Sequence, residues 1–180
     1  MYLEYQPSYL IIPKYISRYA NYSALFILCE SYVLFKFSKY ISSFLKFCLY
    51  ISTLFNWYEV RYNSIIKKID ISLVILSNLS IGYESFLLNY FYIWISGSVI
   101  VISIFVVNKY IFYYQVEIYK NKIIEYSIEP KYSFFSLQYT NPYTISREKA
   151  YFRISFTHFV VIHIFPSIVT ICFLLFTLCN

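Results

Sequence analysis

Four ionisable side chains stand in apolar surroundings where such groups are costly. Glu30 interrupts the run SALFILCESYVLF, and Glu84 is the one formal charge between Ile71 and Asn108. A carboxylate in a run of this kind is paired, hydrated or at a membrane edge, and one in the interior often marks an ion path. Glu84 and Glu30 are therefore the candidates for proton handling, and Lys46 is a cation within reach of either. His158 and His163 are the two histidines, and both lie in the last apolar stretch. Either can supply an axial ligand to a haem. In an α-helix five residues turn about 140°, so the pair is not expected to share a face. Histidines hydrogen-bonded near a membrane interface are the plainer expectation.

The four cysteines, Cys29, Cys48, Cys172 and Cys179, form no C-x-x-C pair, and no histidine stands at metal-ligand spacing from them. Cys172 and Cys179 share a helical face within an apolar run, so packing is expected of them, not metal binding. No phosphate-binding loop, dinucleotide fingerprint, nucleophile elbow or zinc-protease motif occurs, and Gly is present only twice. Catalysis by the chain alone is not expected, and neither is a cofactor or a metal.

These residues must be positioned by long apolar elements. Phe86 to Asn108 reads FLLNYFYIWISGSVIVISIFVVN without a charge over 23 positions. As a helix it is about 35 Å long, enough for a hydrocarbon core of about 30 Å. Ile154 to Cys179 has the same character, with Pro166 expected to kink it. Charged residues make up 13% of the chain and the mean hydropathy is +0.56; a soluble domain carries about 25% charged residues. The expected fold class is all-α and integral to a membrane, with two to four transmembrane helices, amphipathic interfacial helices and an extramembrane segment.

Four regions follow. Residues 1–70 form an N-terminal extended lead with amphipathic or membrane helices. Pro7 and Pro13 punctuate the lead, and a helix from Tyr19 to Phe37 is long enough to span with Glu30 inward. Residues 40–58 read as an amphipathic helix, with Ser42, Lys46, Thr53 and Asn56 opposite Ile41, Phe44 and Phe55. An interfacial or peripheral place is expected for it, because Lys46 in mid-membrane needs a partner. After the charged break 59–70, residues 71–108 are the central membrane segment. One reading is a single span at 86–108 behind an interfacial helix; the other is a hairpin of 71–92 and 95–114 turning near Ser96-Gly97-Ser98. The single span is the working expectation. Residues 109–153 are the extramembrane polar segment, whose first part can prolong the preceding helix. Residues 154–180 are the C-terminal transmembrane helix.

The net charge of +6 has no cluster longer than Lys67-Lys68, which excludes a nucleic-acid groove. Eight basic residues precede the 86–108 span and seven lie in 109–153, too even a division to orient the chain. Residues 1–19 have neither the basic start of a secretory signal nor the Arg- and Ser-rich character of a transit peptide.

Tyr and Phe number 23 and 18, and Ala occurs only at positions 20, 24 and 150. Tyr, Phe, Ile, Asn and Lys have AT-rich codons, which points to an AT-rich gene of an organelle or a symbiont-like genome. In stretches such as YESFLLNYFYIWIS and HFVVIHIFPSIV the chain resembles the hydrophobic proteins encoded in ciliate mitochondrial genomes. That resemblance implies a multi-pass subunit of a respiratory complex in the mitochondrial inner membrane, partnered by other hydrophobic subunits and lipid. The membrane arm of NADH:ubiquinone oxidoreductase is the first expectation, with ATP synthase, the cytochrome complexes or a haem-bearing anchor as alternatives. The Pro-Phe-His-Trp type of segment expected of an antiporter-like subunit is missing.

Overall fold

The computed structural model describes residues 14–58, 65–120, 152–153 and 155–179. Every described element is helical: α1 (Lys14–Lys36), α2 (Tyr40–Tyr58), α3 (Ile65–Leu87), α4 (Phe91–Lys120), and a π-helical turn (Phe159–Ile164) that runs into α5 (Phe165–Cys179). The lead at 1–13, the break at 59–64 and most of the polar segment, at 121–151, lie outside the described residues.

Paired side chains give the topology. Ser31 meets Ser43 and Glu30 meets Lys46, so α1 and α2 are antiparallel. Ser42 meets Ser80 while Ser52 meets Asp70, which makes α2 and α3 antiparallel. Gly82 touches Trp94 across the next antiparallel pair. Phe105 meets His158 and Tyr90 meets Phe173, so α5 returns against α4. Ser23 meets His163 and Glu30 meets Ser167, so α1 and α5 run parallel. Among the described residues the result is a five-helix up-and-down bundle. One end gathers the start of α1, the end of α2 and the start of α3; the other gathers the two short turns.

Those turns are built without glycine. Ser38 and Asn89 take the left-handed conformation, with φ of 58° and 61°. In the first, Lys39 N–H reaches Leu34 O at 2.9 Å and Ser38 N–H reaches Phe35 O at 3.0 Å. In the second, Tyr90 N–H reaches Ser85 O at 3.0 Å and Asn89 N–H reaches Phe86 O at 3.2 Å. Both close as Schellman motifs, which satisfy carbonyls at a helix C-terminus; an asparagine is one of the few non-glycine residues suited to the left-handed position. The second turn corrects the central region: the run 86–108 is broken at 88–90, not at Ser96-Gly97-Ser98 and not left whole. Phe91–Asn108 and Ser155–Thr177 remain long and apolar enough to cross a membrane. As expected, α4 continues past Asn108, as far as Lys120.

The distribution of side chains is inverted relative to a water-soluble bundle. Leu25, Phe35, Phe44, Phe55, Ile75 and Leu79 are exposed, while Ser42, Lys46, Ser52, Thr53 and Asp70 are buried. The amphipathic reading of 40–58 thus holds, and of the two places expected for it the structure has the peripheral bundle position. α2 packs between α1 and α3 with its polar face inward, because Lys46 finds its partner, Glu30, on α1. Close approach on α1 comes from Ala20 and Ala24, both with no exposed surface. Ser31 Oγ donates to Ser43 O and Ser43 Oγ donates to Ser31 O, each at 2.8 Å, a reciprocal clasp between α1 and α2.

Near the short turns the interior turns apolar: Leu34, Ile81 and Leu174 pack with Val33, Phe37, Leu88 and Trp94. Gly82 is needed there for space. A Cβ at position 82 would lie 2.7 Å from the Trp94 ring. Gly82→Val is therefore expected to displace the indole and lower stability by about 1–3 kcal/mol, read as a shift in the unfolding midpoint in detergent.

Candidate functional site

The polar interior forms a ladder along the bundle axis. At the rung nearest the start of α3, Asp70 is buried, and its carboxylate accepts from three α2 side chains. Ser52 Oγ and Thr53 Oγ1 donate to Oδ1 at 2.7 and 3.0 Å, and Asn56 Nδ2 donates to Oδ2 at 3.2 Å. Residues 52, 53 and 56 share one face because three and four residues close a helical turn.

The next rung is aromatic and basic. Trp57 packs on Phe159 with ring centroids 4.9 Å apart and on His158 at 5.2 Å. His158 and His163 lie with their rings 5.0 Å apart, and His163 is buried. This corrects the expectation of separate faces. A π-helical turn has more residues per turn than an α-helix, so positions five apart nearly superpose. Phe165 N–H bonds Val160 O, five residues back, as that turn requires. Pro166 follows immediately and has no N–H to continue the ladder, so the expected disruption takes the form of a bulge just before the proline. His163 Nδ1 is 2.7 Å from Ser23 Oγ, which itself donates to Ala20 O at 2.8 Å. A hydroxyl has one hydrogen. With that hydrogen on Ala20 O, Ser23 accepts from Nδ1–H, and the lone pair of His163 is on Nε2.

At the third rung, Glu30 has no exposed surface. Lys46 Nζ is 2.9 Å from Glu30 Oε2, and Ser167 Oγ donates to the same oxygen at 2.8 Å. Glu30 Oε1 is buried without a hydrogen-bond partner among the described residues. The last rung, by the short turns, is the pair of Lys39 and Glu84 at 2.7 Å, with side chains partly exposed. Of the two candidate glutamates, then, Glu30 is in the interior and Glu84 is at its edge. Beside that edge Tyr90 stacks on Phe173 at 4.3 Å; burial pushes its phenol up, and the Glu84 charge adds to this. At the opposite end Arg153 donates from Nε to Asn108 Oδ1 at 3.2 Å, and burial lowers its guanidinium.

A cavity of about 190 Å³ lies among α2, α3, α4, the π-helical turn and α5, with Ile27 of α1 on its wall. Asp70, His158, His163 and Lys46 face it, with Asn78 and Ser98 on its walls. The open side of Gly97 also borders it, so this glycine faces the interior space and is not part of a turn. Sequence reasoning missed Asp70, which it had counted within a charged break. Its signal was the Ser52, Thr53 and Asn56 face of α2, which needs an acceptor. Cys29 and Cys172 are exposed on the bundle's perimeter, so Cys172 does not pack in the interior, and the side chain of Cys179 lies outside those described. Among the described residues no three His, Cys, Asp or Glu side chains gather to hold a metal. The two histidines are adjacent to each other and do not face one another across a space the size of a porphyrin, so this pair does not form a bis-histidine haem site. No protein-family model, curated protein or solved structure matches this chain.

Proposed function

We propose that this is a multi-pass integral membrane protein, all five helices of which cross the bilayer. In this reading it is a non-catalytic subunit of a larger assembly in the mitochondrial inner membrane, with the membrane arm of NADH:ubiquinone oxidoreductase as the first candidate. The observation that carries the membrane part is the inverted bundle: aromatic and branched side chains outside, hydroxyls and ion pairs inside. In water such a surface aggregates, whereas in lipid it is solvated. The respiratory assignment leans on the compositional resemblance.

The charged residues support a single slab. If Phe91–Asn108 spans the hydrocarbon, about 27 Å at 1.5 Å per residue, the helix pairings carry its two ends to the other helices. Arg18, Lys67, Lys68 and Arg153 then fall together at one edge. Lys36, Lys39 and Glu84 fall together at the other, and Lys46 is inside with its partner Glu30. Among the described side chains, four basic residues thus stand at the first edge and two, Lys36 and Lys39, at the second. By the positive-inside rule that edge faces the electrically negative compartment. The near-even split along the chain conceals this because consecutive helices alternate direction.

A second reading, proton handling, is favoured by the buried pair Glu30–Lys46 more than by Glu84, whose ion pair is at the slab's edge. The test of the proposed role is to separate native membrane complexes and identify the bands that contain the chain. It is expected with respiratory subunits, in a band far above its own 21.7 kDa. Recovery in an ATP synthase or cytochrome band would reassign the assembly, and recovery only as a stable lone monomer would defeat the subunit reading.

A further inference from the structure

We propose that the internal cavity is a hydrated, one-sided proton-binding chamber, open toward the Asp70 end, in which His163 passes a proton from cavity water to the Glu30–Lys46 pair. This inference rests on the membrane reading above.

Three independent observations converge on it. First, the cavity's 190 Å³ is room for about six waters at ~30 Å³ each, and polar groups line it from Asp70 through Asn78 and Ser98 to His163 and Lys46. An apolar cavity of this size stays dry; this one offers partners along its length. Second, the space is closed toward the short turns by the apolar cluster of Leu34, Ile81 and Leu174. Water and protons are therefore barred from passing through that end. Third, Glu30 is fully buried with Oε1 unpartnered among the described residues, and a bound proton would neutralise that orphaned acceptor.

His163 suits the relay role. In the tautomer that gives Nδ1–H to Ser23, the ring is held in place and Nε2 is the nitrogen left with a lone pair. The charged and titratable groups around it are Glu30 on α1, Lys46 on α2, Asp70 on α3 and His158 on its own helix. Lys67 lies within electrostatic reach of His158. α4 contributes none to the cavity among the described residues.

The transfer balances without any oxidant or reductant. A proton from cavity water adds to Nε2, forming imidazolium and leaving hydroxide, which the bath neutralises through the open end. Lys46 passes one proton to Glu30 across 2.9 Å, giving an amine and a carboxylic acid. The imidazolium then protonates the amine. His163 and Lys46 return to their starting states, and one proton from the bath resides on Glu30.

The experiment follows the protein, in the assembly that retains it, reconstituted in phosphatidylcholine liposomes. Infrared difference spectra are recorded after a rapid bath acidification. A protonated-carboxyl band is expected, and it should be missing in Glu30→Gln. In His163→Asn, whose amide still donates to Ser23, the band should reach the same amplitude about 100-fold more slowly, the scale of a positioned proton-transfer group. A purely structural histidine would change the amplitude or the fold, not the rate alone. An unchanged rate in His163→Asn, or no Glu30 band at all, overturns the proposal. Should His163→Asn fail to fold, Ser98→Cys in a background with the four native cysteines replaced by serine decides the matter. Its thiol must react with a charged, membrane-impermeant thiosulfonate from the Asp70 side and not from the other; no reaction from the Asp70 side means a dry chamber and sinks the idea. Release of the chain from liposomes by alkaline washing would count against the membrane reading itself, which separates the two failures.

Discussion

Lys46→Met is expected to lower stability by about 3–5 kcal/mol, whereas the double variant Glu30→Gln, Lys46→Met recovers most of that loss. Glu30 has no exposed surface and its Oε2 is held by Lys46 at 2.9 Å and by Ser167 at 2.8 Å. Removing only the cation strands a carboxylate in a medium that cannot solvate it. Removing both charges leaves an amide for Ser167 to bond and a thioether of similar length in the Lys46 channel. The asymmetry is the general behaviour of buried pairs: breaking one is costly, replacing both members is nearly neutral. Equilibrium unfolding of the three variants in mild detergent closes the cycle. Additive effects would mean that the two side chains are solvated separately, and the interior described here would then be wrong at its centre.

The second large effect comes from the outside. Leu76 is on α3, about halfway between Lys68 and Glu84, and is 51% exposed. In a water-soluble bundle Leu76→Arg at such a site stays within about 0.5 kcal/mol of the parent. In the proposed slab it places a guanidinium near the bilayer centre, which costs about 2.5–3.5 kcal/mol on insertion scales. The variant should show reduced membrane insertion, measured as the fraction of newly made chain that resists alkaline extraction. Ser72→Arg, one turn nearer the basic edge, should be tolerated much better because the side chain can reach the interface. Equal extraction resistance of Leu76→Arg and the parent would argue that lipid does not cover this face.

Much of the fold was legible in composition and periodicity. α2 occupies the 40–58 span that its polar stripe outlines, and the two most apolar helices lie where the charge-free runs are. What escaped has physical causes. The α3–α4 turn relies on Asn89 in a left-handed conformation, with neither Gly nor Pro to announce it. His158 and His163 come together through a π turn, so spacing read at α-helical pitch separated residues whose rings the structure sets edge to face. Lys46 looked too costly for the interior because its partner is sixteen residues earlier on another helix, a pairing that no local pattern reveals. Asp70 was hidden by the charged residues just before it, although the three donors on α2 required an acceptor. Likewise, the basic residues divide evenly along the chain and unevenly in space, which only the up-and-down order discloses.

The central claim is that lipid surrounds an inverted bundle. It is tested most directly by single cysteines in a cysteine-free chain within sealed membranes, probed with an impermeant maleimide and, as spin labels, for contact with oxygen or a water-soluble relaxant. Sites at Phe44, Ile75 and Val99 are expected to resist the maleimide from both sides and to relax with oxygen. Lys68→Cys is expected to react only from the electrically negative compartment. Reaction of the Phe44, Ile75 and Val99 sites with the maleimide, with relaxation by the aqueous agent, would show that water covers this surface and would contradict the account.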